Sequence, residues 1–251
     1  MKTSTIKSNS LKILRGAVVF LICTAIWDIS ALIVNEPYFF PGAKDTFAAL
    51  TELVKMPIFF KSILLSLLRV LAGLGLGIAF GVVLATVSHY FKLSDSLISP
   101  IVSIMKATPI ATIILILWFT FSDAELAIFV VFLMVTPIVW QNVLDGYRSI
   151  STELNEVCKI FELSFWKKLK IIIFPTVVRY LIPAVITSVG LAWKAEIAAE
   201  IMTYSNIGRS IQDFKTLFYD TASVFAWAFV IIIFSLILEG VTKYFLRRIK
   251  I

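Results

Sequence analysis

The chain is poor in the residues that do chemistry. Its 251 residues include one histidine, His89, and two cysteines, Cys23 and Cys158. A metal centre needs several ligands converging on one ion, and a cysteine nucleophile needs a base beside it. Neither can be assembled from this inventory, so no catalytic residue and no metal ligand is expected. His89 reads as an interfacial side chain at a helix end. No G-x-x-x-x-G-K-[ST] loop occurs either, so the chain binds no ATP in that way. Charged residues make up only 16% of the chain, and no polar stretch is long enough to bury a core of its own. Aromatic residues are mostly Phe and are not interleaved with basic ones as a base-stacking surface requires, which argues against nucleic acid as a partner.

Apolar sequence takes the place of all these. Hydrophobic residues account for 59% of the chain and the mean hydropathy is +0.95, values of an integral membrane protein. Crossing roughly 30 Å of hydrocarbon at about 1.5 Å per residue requires long apolar runs, and about six are found. Their cores lie near 16–34, 65–87, 99–119, 125–142, 180–203 and 224–242. Basic residues precede the first as in a secretory leader, but its apolar run is too long and no A-x-A site follows, so it reads as a retained helix. The expected fold class is an all-α integral membrane protein, with one transmembrane domain over 1–251.

Orientation follows from Lys and Arg. Six crossings place both termini on one side, which collects Lys2, Lys7, Lys12, Arg15, Lys92, Arg148, Lys159, Lys167, Lys168, Lys170, Arg179, Lys243, Arg247, Arg248 and Lys250. The other side has Lys44, Lys55, Lys61, Arg209 and Lys215. The positive-inside rule therefore puts both termini in the cytoplasm. The formal charge of +7 reads as topology and attraction to membrane lipid.

One cytoplasmic stretch, "ELNEVCKIFELSFWKKLKIIIFP" (Glu153 to Pro175), departs from the apolar pattern. Ser151 can cap a helix from Glu153 to Leu163 on which Leu154, Val157, Cys158 and Phe161 share a face. Ser164 can cap a second piece, Phe165 to Phe174, with Lys167, Lys168 and Lys170 suited to anionic lipid and Pro175 ending it. These features fit a linker lying on the membrane and equally a docking element for a cytoplasmic partner.

The stretch resembles the EAA loop of ABC importer permeases. Glu156 matches the Glu of that pattern, Val157 and Cys158 stand for its two alanines, and Ile172, Phe174 and Pro175 fall on its I-x-L-P positions. Glu162 occupies the position where the pattern has Gly. "SLLRVLAGLGLGIAFGVVLA" (Ser66 to Ala85), "LILWF" (Leu115 to Phe119), "PIVWQNVLDGYRSI" (Pro137 to Ile150), "PTVVRYLIPAVITSVGLAWKAEIAAEIM" (Pro175 to Met202) and "NIGRSI" (Asn206 to Ile211) are similar to the nitrate, sulfonate and taurine branch, as is "FFPGAKDTFAAL" after the first helix. The resemblance covers nearly the whole chain.

It implies a type I importer permease fold, located in the bacterial cytoplasmic membrane, with a coupling loop at about 148–176. It also implies a second permease copy, expected as a homodimer, two ABC ATPase subunits that carry the ATP and magnesium, and an extracytoplasmic solute-binding protein. In that picture Glu156 makes a polar contact with the ATPase, and Val157, Cys158 and Phe161 fill its groove. The chain itself is then a non-catalytic subunit.

Ionisable residues at bilayer depth point by default to function. Asp28, Arg69, Lys194, Glu196 and Glu200 are such residues, either as structural ion pairs or as pathway lining. At 100° per residue Glu196 and Glu200 share a face while Lys194 points nearly opposite. Gly73, Gly77 and Gly81 repeat every four residues and permit close helix packing. Pro109 and Pro137 are expected to kink or end helix turns. An ion-driven carrier or intramembrane enzyme using Lys194, Glu196 and Glu200 remains the alternative. A small anion is the favoured solute.

Overall fold

A computed structural model describes the chain over residues 2–248, with the side chains of residues 2–14, 17, 92 and 155 outside the description. Of the basic residues that set the expected orientation, Lys2, Lys7, Lys12, Lys92 and Lys250 therefore lie outside the described side chains. The described residues form helices and no strand, the solution hydrocarbon imposes when backbone N–H and C=O groups must be satisfied within the segment itself. In chain order these are α1 (Lys2–Val34), α2 (Ala43–Lys55), α3 (Pro57–Tyr90), α4 (Lys92–Ala107), α5 (Ile110–Leu117), α6 (Asp123–Arg148), α7 (Thr152–Ile160), α8 (Phe165–Lys168), α9 (Phe174–Thr203), α10 (Asn206–Thr216) and α11 (Thr221–Leu246).

Four segments are long and apolar enough to cross a membrane: α3, α6, the continuous helical run Phe165–Thr203, and α11. The expected third crossing, 99–119, is not straight. It is divided between α4 and α5, which meet at 98°. Pro109 causes the break: it has no N–H to continue the ladder, and it holds Thr108 in an extended conformation (φ −77°, ψ 125°). Pro137, by contrast, sits inside an uninterrupted α6. The apolar part of α1, Val18–Val34, falls short of the length of the four full spans.

The chain groups into two compact units. One comprises the chain up to Phe60 together with Ile211–Val230. In it, Asp28 Oδ1 accepts the Ala43 N–H at 2.8 Å and so caps α2, whose N-cap residue, Gly42, has no side chain to do so. Asp28 is therefore a cap, not a member of an intramembrane ion pair. The Trp27 indole donates to the Pro41 carbonyl at 3.0 Å, and Phe40 and Trp27 both pack on Phe225.

The other unit comprises Lys61–Ser210 and the chain from Ile231 onward. Its centre is α6, with Leu126, Val130, Val135, Val139 and Val143 fully buried. The glycine repeat explains how α3 reaches it. A Cβ at Gly73, Gly77 or Gly81 would stand 2.6–2.8 Å from the Cβ of Val131, Val135 or Val139, one β-branched residue of α6 per turn of α3. The glycines let the two backbones approach, and dispersion over that contact holds them.

This packing yields a prediction. Gly77→Leu should destabilise the detergent-solubilised chain by about 2 kcal/mol or more through overpacking, read as a lowered unfolding midpoint. Gly75, which has open space around it, should accept Ala with no comparable loss.

Candidate functional site

The short helix α7 forms where the sequence puts an N-cap before a charged first turn. Ser151 adopts the extended conformation of a cap (φ −67°, ψ 155°), and its hydroxyl oxygen accepts the Leu154 N–H at 3.3 Å. The same hydroxyl, with the nearby backbone, holds the exposed Glu153 carboxyl below the usual carboxylate range.

The helix ends at Ile160, and the turn that follows satisfies its last carbonyls in the Schellman pattern. Leu163 N–H donates to the Cys158 carbonyl at 2.9 Å, and Glu162 N–H donates to the Lys159 carbonyl at 3.1 Å. That pattern needs a left-handed residue at the second of these positions, and Glu162 provides it at φ +48°. The turn thus has the geometry for which the family pattern has Gly, held here by a residue with a Cβ and at a corresponding conformational cost.

Beyond the turn, α8 passes into a π-helical stretch, Leu169–Ile173, and then directly into α9. The expected stop at Pro175 does not occur. Pro175 lies in the first turn of α9, after the widened turn, where a missing N–H interrupts nothing. Ile172, half-buried, belongs to the π-helical stretch. The segment from Phe165 onward is therefore continuous with a membrane span on one side. On the other, only Ser149–Ser151 separate α7 from α6.

The exposed surface of this segment is apolar. Val157 and Leu154 are partly exposed, while Ile160 (76%), Phe161 (71%) and Trp166 (75%) stand almost fully out, with Phe165 beside them. Glu156 is exposed at the edge of α7. Cys158 is not part of this face. It is 5% exposed, buried within the chain, and so anchors α7 from below. Sequence periodicity groups it with Leu154, Val157 and Phe161, and only the tertiary packing separates the inward residue from the outward ones.

A second cluster lies in α9. Glu196 and Glu200 are both fully buried and share a face, while Lys194 is exposed on the other. Arg69 reaches Glu200 Oε1 at 3.4 Å. Ser66 Oγ donates to the same carboxylate at 2.8 Å, Asn206 Nδ2 at 2.7 Å and the Ile207 N–H at 3.2 Å. Glu196 lies one turn away with both carboxyl oxygens buried and without a hydrogen-bond partner. Arg69 and Glu200 are thus a structural pair, and Glu200 is the fastening point of α3, α9 and α10.

Sequence reasoning missed Ser66 and Asn206. The signal was present in "NIGRSI". Asn206 supplies a donor from a left-handed position (φ +42°), and Gly208 sits where a Cβ would collide with the Glu200 backbone. Gly208 leaves the room that brings α10 against the end of α9. Among the described residues no group of His, Cys, Asp and Glu side chains is arranged to hold a metal.

Two outcomes are expected from this geometry. Glu162→Gly keeps the turn and removes its left-handed penalty, stabilising it by about 0.5–1 kcal/mol, whereas Glu162→Val loosens it; amide exchange at Leu163 reads both. Glu200→Gln leaves several donors without their acceptor, and a loss of about 3 kcal/mol or more is expected in the unfolding free energy.

Comparison with known proteins agrees with the fold. The family described as "Binding-protein-dependent transport system inner membrane component" matches residues 77–251. The chain is 25% identical over 241 residues to the Bacillus subtilis protein SsuC, whose name assigns it to aliphatic sulfonates transport as a permease, covering 94% of this chain and 85% of that one. It is 30% identical over 141 residues to the nitrate import permease protein NrtB of Synechococcus elongatus, covering 56% and 50% respectively. A solved amino acid ABC transporter chain, crystallised with histidines, superimposes with a TM-score of 0.68 at 14% identity, covering 80% of this chain and 98% of that one, which supports the fold. The chain belongs to the family of inner-membrane components of binding-protein-dependent transport systems.

Proposed function

We propose that the chain is the transmembrane subunit of an ATP-driven importer for a small solute, an anion such as nitrate, a sulfonate or bicarbonate. The observation that carries this reading is the exposed apolar face of α7 and α8 on a segment joined tightly to two spanning helices. An exposed patch of Val157, Ile160, Phe161 and Trp166 is costly in water and gains most of its stabilisation when a partner covers it. Glu156 at its edge supplies a charge that fixes the register of docking.

The mechanical logic follows from the connections. The helices on either side of the loop pack on each other, with Gly146 of α6 under the Tyr180 ring of α9. A displacement applied at α7 passes to α6 through three residues, and to α9 through the Glu162 turn and the helical run that begins at Phe165. An ATPase that closes around ATP and magnesium would drive α6 and α9 together, biasing the pathway between two access states. Two such ATPase subunits, a second permease copy forming a homodimer, and an extracytoplasmic solute-binding protein complete this assembly, with both termini of the chain in the cytoplasm. Pathway candidates are Lys194 and Glu196; Glu200 and Arg69 act as structure.

The test is solute-stimulated ATP hydrolysis of the chain reconstituted with its ATPase and binding protein. Glu156→Ala and Phe161→Ser, both at exposed positions, should leave the unfolding midpoint unchanged and lower stimulated hydrolysis by about tenfold or more, as loss of an interface anchor does. Unchanged stimulation in both variants would refute the docking role.

A further inference from the structure

Lys194 is the only exposed residue in the stretch 192–197, its neighbours on both sides being buried. No described residue forms an ion pair or hydrogen bond with its ammonium. An ammonium within a membrane span is tolerated where it faces a cavity, a partner charge or the interface. Lys194 opens on a cavity of about 410 Å³ between α9 and α11, lined also by Thr187, Gly190, Glu239 and Lys243.

The two helices run antiparallel at this point. The Trp193 indole donates to the Ile231 carbonyl at 3.0 Å and its ring stacks on Phe234, while one turn earlier in α9 Gly190 faces Glu239, later in α11. Side chains on a helix lean toward its N-terminus. Lys194 therefore leans back over Gly190 and Thr187, and Lys243 leans back over Glu239. The two ammonium groups line the same cavity from opposite directions. Gly190 lets the Glu239 carboxylate lie directly against α9, since a Cβ there would push that flexible side-chain end aside.

The charges do not balance. Glu239 Oε2 pairs with Lys243 Nζ at 3.3 Å, which leaves the Lys194 charge in excess. The Thr187 hydroxyl already donates its proton to the Pro183 carbonyl, so the site offers positive charge more than a rigid set of donors. Lys presents a compact charge on a flexible stem and, unlike the planar Arg fork, tolerates anions of several shapes.

We infer that this cavity is a site for one singly charged oxyanion, with Lys194 as its charge partner. Two sources share that chemistry: a small solute anion, and the phosphodiester of an anionic phospholipid reached along the exposed apolar face of α11 at Leu236, Ile237 and Val241. As a solute site it rests on the permease reading. As a lipid site it stands without it.

The experiment uses the full-length chain in phosphatidylcholine nanodiscs, without ATPase or binding protein, so that failure of coupling and failure of this inference are read separately. The unfolding midpoint is followed while sodium nitrate or sodium methanesulfonate replaces chloride at constant ionic strength, and in a second arm while phosphatidylglycerol replaces phosphatidylcholine. At least one oxyanion should raise the midpoint, with about tenfold weaker apparent affinity in Lys194→Gln and near-native affinity in Lys194→Arg. A response to nitrate or methanesulfonate assigns the site to solute; a response to phosphatidylglycerol alone assigns it to lipid. Lys243→Gln leaves Glu239 to neutralise Lys194 and should weaken binding comparably, which decides the matter if Lys194→Gln does not fold. No response in either arm, or equal responses in the native chain and both Gln variants, overturns the inference.

Discussion

Glu200 buries a carboxylate at the end of a membrane-spanning helix, and donors from two places in the chain converge on it. Ser66 and Arg69 come from α3, and Asn206 with the Ile207 N–H comes from the start of α10. In hydrocarbon an unsatisfied acceptor costs several kcal/mol, a cost that the donors gathered around Glu200 remove. The turn from α9 into α10 is shaped by that demand. Tyr204 and Asn206 both take left-handed conformations, and Gly208 leaves room for the backbone of Glu200 itself. The carboxylate thereby fixes where α9 ends and which residues of α3 lie beside it.

At the opposite end of α9 the constraints are different. There the chain presents an apolar surface outward and turns into a continuous helical run. The Schellman turn at Glu162 reverses the chain tightly, and the π-helical stretch absorbs Pro175 without breaking the helix. Cys158, buried below α7, holds the helix down while Phe161 and Trp166 face away. This loop keeps some strain at its turn and some unfavourable exposure on its surface, both of which a covering partner would offset.

Much of this was legible in the residues. Continuous apolar runs announced the spans now seen as α3, α6, α9 and α11, because only a helix satisfies its backbone within lipid. Serine before a charged turn announced α7, and the three glycines spaced by four announced the close approach of α3 to another helix without naming it. The family pattern singled out position 162 as a place for Gly, and the backbone there is indeed left-handed. Other features had no local signal. Asp28 looked like an intramembrane charge because its partner, the Ala43 N–H, lies 15 residues further on and carries no side-chain signature. The run at 99–119 looked like a straight span because its hydropathy is uninterrupted, although Pro109 turns it by 98°.

The sequence by itself determined the solvent, the helical class, the positions of four spans and the existence of a polar segment between two of them. These depend on composition and on periodicity within a few turns, quantities that a single segment carries alone. Tertiary structure decided which face of α7 points outward, that Glu200 is a fastening point while Lys194 faces a cavity, and that Pro175 continues a helix instead of ending one. Each of those depends on what lies across the contact, and two residues at the same helical angle differ only in whether another helix covers them.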